Sequence, residues 1–216
     1  MRLVQVLFVL IIGLTLTACA ASRAEKEEAA AIDEAANSAE VQIAPDPLVT
    51  VNAVEIIVPD TLLVTEANRY YPKGDIVWRG EPLGDRRAQV KAIFEEGIGR
   101  GAAALQGSTP VDVQVEVLRF HALTQKARYT VGGVHAITFS VTLKNPETGA
   151  LLADPHIVQA DLKAYGGEEA LSAEAGGYTQ KFRITNHLAN VIVADLSGAD
   201  GYQNARLGFY QAINTN

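Results

Sequence analysis

Val111-Asp-Val-Gln-Val-Glu-Val117 alternates apolar and polar side chains without a break. Successive side chains of a strand point to opposite faces, so this run reads as a strand with valines buried and acids and amides wet. It excludes an all-helical chain and demands an apolar cover for the valine face. The strand continues through Arg119 and Phe120. After a polar loop containing Lys126, Arg128, Gly132 and Gly133, alternation returns at Ile137, Phe139, Val141 and Leu143, which makes a hairpin with the first run. Asn145-Pro146-Glu147-Thr148-Gly149 has turn composition. Leu151 to Ala164 then reads as a third strand, with Val158, Ala160 and Leu162 on one face and Pro155 marking a bulge or an edge. Connections this short cannot cross over, so the meander is antiparallel.

The cover is legible on both sides of these strands. Asp85 is an N-cap for a helix through Leu105, with Val90, Phe94, Gly97, Ile98, Gly101 and Leu105 at helical spacing and Ile93 widening the stripe. Gly97, Gly99 and Gly101 read as close-packing sites against strands. As a phosphate loop they fail, since they follow no strand and open no helix. Thr179 caps a second helix whose stripe is Phe182, Thr185, Leu188, Ala189, Ile192, Val193 and Leu196, with Gly198 as its stop. Val54 to Val58 supplies a strand ahead of the first helix, with a Pro59-Asp60 turn or kink and a continuation at Leu62 to Val64. The expected fold is α+β: a small antiparallel sheet of about four strands in β-α-β-β-β-α order, with two helices packed on one face. This domain spans 50–198, with one or two helical turns within Glu168 to Glu174, and 199–216 follow as a C-terminal tail.

The N-terminus bears on location. Arg2 precedes an apolar run from Leu3 to Leu14 and then Leu16-Thr17-Ala18-Cys19, which holds the only cysteine. The layout is that of a secretory signal, too short for a final membrane span. It resembles a bacterial lipoprotein signal, which implies cleavage after residue 18 and acylation of Cys19. Such cysteines carry three acyl chains, palmitate among them, enough for lasting attachment. Ala20, rather than Asp, favours the outer membrane by the sorting rule of enteric bacteria. Residues 20–46 set Arg23 and Lys26 against Glu25, Glu27, Glu28, Asp33, Glu34, Glu40 and Asp46, a net −5, so 19–49 read as an acylated cysteine and a disordered acidic tether. As a coil it reaches about 30 Å. Of the overall −7, residues 47–216 keep only −3. Nothing here has the basic face that nucleic acid requires.

Candidate chemistry is sparse. With Cys19 acylated no thiol remains for catalysis, a disulfide or a soft metal site. His121 and His135 lie near the ends of the hairpin strands, and if Val117 faces Phe139 and Val115 faces Val141, His121 faces His135. A zinc site needs further ligands that neither His156 nor His187 is placed to give, so these are surface or edge histidines and no metal or cofactor is expected. No serine has a nucleophile-elbow context. The pairs Glu95-Glu96 and Glu168-Glu169 are solvated helix charges, and Lys181 and Arg183 beside Thr179 belong to an ordinary cap rather than an anion site.

The long irregular segment Glu66 to Gly84 carries Tyr70, Tyr71 and Trp78. Either Trp78 and one tyrosine pin this loop to the domain edge, or the three anchor a partner. An uncovered strand edge is a second route for a partner, unless Pro155 blocks it. Asp75-Ile-Val-Trp-Arg-Gly-Glu-Pro-Leu-Gly-Asp-Arg86 and Thr179-Gln-Lys-Phe-Arg-Ile-Thr-Asn-His-Leu188 resemble a family of uncharacterised alphaproteobacterial lipoproteins, over about 50–198. The resemblance implies no activity or catalytic residue. In element order alone, the chain is also similar to auxiliary lipoproteins of envelope transport systems. The expectation is a non-enzymatic, membrane-anchored periplasmic lipoprotein that binds another envelope component in an accessory or assembly role. The alternative is a carrier of a lipid or other small apolar ligand.

Overall fold

The computed structural model describes residues 48–198 and 200–212. The expected signal at 1–18, Cys19 and the acidic tether up to residue 47 lie outside the described residues. Six strands, β1 (Val49–Ile57), β2 (Ile76–Val77), β3 (Thr109–His121), β4 (Gly133–Lys144), β5 (His156–Gln159) and β6 (Leu162–Ala164), form the sheet. The helices are α1 (Arg86–Ala103), α2 (Gln125–Arg128), α3 (Gly167–Ala175), α4 (Gln180–Ser197) and α5 (Phe209–Ala212).

β3 and β4 are the central antiparallel pair. Each outer row is broken in two. β1 and β2 both lie parallel to β3, against its start and its end, while β5 and β6 both lie antiparallel to β4. The sheet is therefore mixed, which corrects the antiparallel expectation. The reason is α1: an 18-residue helix carries the chain about 27 Å back along the sheet, so β3 starts at the same end as β1 and runs the same way. The expected single third strand splits at Ala160 and Asp161, and Pro155 does precede the edge strand β5.

Val111, Val113, Val115 and Val117 are buried with Ile137, Phe139 and Val141 under α1 and α4. Phe94 of α1 meets Phe139 and Phe120 edge to face at 5.5 and 6.1 Å, and Trp78 meets Phe120 at 5.7 Å. Asp112, Gln114 and Glu116 are half-buried on the opposite, polar face, where Asn52 Nδ2 donates to Asp112 Oδ1 at 2.8 Å.

Asp85 and Thr179 cap α1 and α4 as expected, accepting from Ala88 N–H and Phe182 N–H. The glycines of α1 do not meet strands. A Cβ on Gly97 would lie 2.8 Å from the Thr185 carbonyl oxygen, and one on Gly101 2.3 Å from that of Ala189, so both make room for α4. Gly99 faces open space. Residues 200–212 are tied back by two buried aspartates. Asp195 Oδ1 accepts from Tyr202 N–H at 3.2 Å, and Asp161 Oδ2 accepts from Asn204 Nδ2 and Gln211 Nε2 at 3.1 and 2.8 Å.

Candidate functional site

The hairpin register is the one that would set His121 opposite His135, Val117 facing Phe139 and Val115 facing Val141. A bulge between Val117 and Arg119 then shifts it, so His121 faces Ala136 and His135 pairs with Leu162 on β6. Neither is a surface residue: His121 is 5% exposed and His135 not at all. His121 Nε2–H donates to the Pro72 carbonyl at 2.9 Å, and His135 Nδ1 accepts a long bond from Leu123 N–H at 3.4 Å. Among the described residues no group of three or more His, Cys, Asp or Glu side chains is placed to hold a metal ion.

Burial favours the neutral imidazole and lowers the pKa of all three interior histidines. His135 falls well below the usual value, with the Arg183 and Arg128 guanidiniums adding to burial. His187 falls to about 4 despite its bond to the Ala160 carbonyl, and His121 falls too. The unfolded chain takes up protons near pH 6.5 that the folded chain refuses, so stability is complete above that pH and declines as pH falls toward 4. His187 alone contributes up to about 1.4 kcal/mol per pH unit in that window. Urea unfolding between pH 7 and pH 4 should show the decline, and His187→Gln should reduce its slope.

Of the residues expected to bind a partner, Trp78 is corrected. It is fully buried, and its indole Nε1–H donates to Glu81 Oε2 at 2.8 Å. Burial would raise the Glu81 pKa, but hydrogen bonds from Lys181 and Trp78 outweigh it and hold the carboxyl below its ordinary value. Lys181 pairs with Glu81 at 2.8 Å, so it ties the loop to α4 and leaves an ordinary cap at Thr179. Arg86, also buried, clamps the same loop through Glu66 at 2.6 Å and the Pro82 carbonyl at 3.0 Å. The hydrogen bond from Arg86, with its charge, lowers the Glu66 pKa.

Tyr70 and Tyr71 are the outward part of the loop, 40% and 50% exposed. They are held firmly. Asn68 Oδ1 accepts from Lys126 N–H at 2.8 Å, Thr124 Oγ1 donates to the Arg69 carbonyl at 2.8 Å, and the His121 bond fixes Pro72. Lys126 Nζ sits 4.6 Å from the centre of the Tyr70 ring. The two tyrosines form one wall of a shallow cleft floored by His121, Ala122 and Leu123, with Val131 and Tyr210 also lining it. Tyr129, after α2, is exposed as well. The sequence reading missed Tyr129, Val131 and Tyr210, although Tyr129 carries the signal that marked Tyr70, an aromatic in a polar loop. The cleft has room for a single water, about 10 Å³. A second cleft of about 10 Å³ lies over Arg128, Tyr165, Tyr178 and Arg183, where Arg128 pairs with Glu174 and the Arg183 guanidinium stacks 3.4 Å from the Tyr165 ring centre. Glu95, Glu96, Glu168 and Glu169 are exposed on helices.

A family model described as "Family of unknown function (DUF6778)" matches residues 49–212. No curated protein matches the chain. Solved structures of similar shape include a protein from Caulobacter crescentus CB15 provisionally classed as a lipoprotein, at 13% identity and a TM-score of 0.33, covering 67% of this chain and 87% of that one. Protein XCC0632 from Xanthomonas campestris, of family DUF330, is 13% identical with a TM-score of 0.40, covering 71% and 90%. The PelC dodecamer from Paraburkholderia phytofirmans is 12% identical with a TM-score of 0.31, covering 74% and 92%. At these scores the likenesses carry nothing about role. No described helix is long and apolar enough to cross a membrane.

Proposed function

The chain belongs to this family of unknown function, DUF6778, and from that premise we propose that it is a lipoprotein of the cell envelope, acylated at Cys19, facing the periplasm and working without catalysis by binding another envelope component. The observation that carries the reading is the Tyr70–Tyr71 wall: two exposed aromatics on a loop pinned from three sides by Asn68, Thr124 and His121. Preorganised aromatics give up little freedom on binding, and tyrosine is enriched among the residues that dominate interface energies. Leu16 to Cys19 supports the anchor, and Ala20 supports the outer membrane as its place. An accessory or assembly role fits a domain whose outward chemistry is a contact surface. The small clefts weigh against the alternative, a carrier of lipid or other apolar ligand, since ligand pockets commonly measure about 300 Å³ or more.

The test is crosslinking and pull-down from membranes with the full-length acylated protein beside a Tyr70→Ala/Tyr71→Ala variant. Trp78→Ala is unsuitable because it removes core. A specific envelope protein recovered with the wild type and lost from the double variant is the expected result. Recovery of lipid with no protein would move the carrier reading ahead.

A further inference from the structure

The tyrosine wall is also the place where positive charge gathers. Arg69 and Lys73 flank the two tyrosines in sequence, and Lys126 lies across the Tyr70 ring, all three exposed. Among the described residues none of the three has a carboxylate within ion-pair distance. The nearby acids are engaged: Glu66 pairs with Arg79 and Arg86, and Asp75 accepts from Leu63 N–H. Residues 47–216 carry −3 overall, so this concentration stands against the average.

Its position is equally definite. The described chain begins at Leu48 beside Thr109, at the start of β3, whereas the tyrosine loop is bonded to His121 at its end. A 13-residue strand separates them by about 40 Å. The tyrosines therefore lie at the pole of the described domain away from Leu48.

We propose that the Arg69–Tyr70–Tyr71–Lys73 loop, with Lys126 across the Tyr70 ring, is a docking surface for an acidic segment of a partner protein. This rests on the binding reading above and adds the partner's chemistry. Carboxylates would meet the three uncompensated cations while apolar parts of the segment lie on the tyrosine rings. An anionic lipid surface is the competing occupant, and the experiment tells the two apart.

The probe is labelled poly-L-glutamate, titrated against full-length protein in neutral phosphatidylcholine vesicles. Binding should be saturable and should weaken between about 50 mM and about 300 mM salt. Arg69→Gln/Lys73→Gln/Lys126→Gln should weaken it at least about tenfold. The control Lys91→Gln/Lys144→Gln/Arg206→Gln, of equal net charge, should leave it unchanged. Equal loss in both triple variants, or loss in neither, overturns the proposal. So does equally tight, patch-dependent binding to added phosphatidylglycerol vesicles. A photoreactive benzoylphenylalanine in place of Tyr71, compared with one in place of Ile157 on the opposite edge strand, separates the two readings. An envelope protein captured from position 71 through a peptide that is not acidic leaves the binding reading standing and overturns the acidic partner, whereas capture only from position 157 removes the tyrosine wall on which both rest. Capture from neither position removes both, and capture from position 71 through an acidic peptide supports both.

Discussion

Gly101→Ala is expected to lower the unfolding free energy by about 3 kcal/mol, while Gly99→Ala, two residues away on the same helix, raises it by about 0.5–1 kcal/mol. Intrinsic helix propensity favours alanine at both positions, so the opposite signs come from what surrounds them. A methyl group at Gly101 would stand 2.3 Å from the Ala189 carbonyl oxygen and 2.5 Å from Ile192 Cγ2, and the oxygen belongs to the backbone of α4. No rotamer relieves that contact, so α1 and α4 must separate and open the core they share. At Gly99 the added methyl meets nothing within 4 Å. Gly97→Ala should fall between, since its nearest contacts are 2.8 and 2.9 Å. Urea unfolding followed by far-UV circular dichroism measures all three. A destabilised Gly99→Ala protein would show that the α1–α4 crossing does not set the sign.

Trp78→Ala is expected to cost about 3–5 kcal/mol, a large part of the stability of an ordinary domain. The indole is wholly buried, meets Phe120 edge to face and fills space that Gly80 leaves open, where a Cβ would lie 2.3 Å from the ring. Its removal leaves a cavity and takes a donor from Glu81, whose remaining partner is Lys181. Tyr70→Ala and Tyr71→Ala should each stay within about 1 kcal/mol of the wild type, since neither ring is in the core. The contrast separates packing from docking. A variant that keeps its unfolding midpoint and loses its crosslink identifies the contact, whereas one that loses both says only that the loop unfolded. Trp78 is the only tryptophan, so its fluorescence should be blue-shifted in the folded protein and move to the red in a single transition with the backbone signal.

What the residue pattern alone determined is local. Alternation at Val111–Val117, the helical stripes of α1 and α4, their caps at Asp85 and Thr179 and the stop at Gly198 are read from neighbours a few positions apart. The physics they express, side-chain period and unpaired backbone ends, acts at that range. Tertiary structure decided everything that depends on residues distant in sequence. The direction of β1 followed from where α1 returns the chain, and one bulge after Val117 was enough to part His121 from His135. Trp78 and Tyr71 look alike in the sequence, both aromatics in one irregular loop. Trp78 went inward because Phe120, Gly80 and Glu81 offered its ring a slot and its N–H an acceptor, and Tyr71 stayed outside because the pinned backbone at Pro72 left it facing solvent. Side-chain burial is set by the space and partners that other segments leave, and these exist only once the chain has folded.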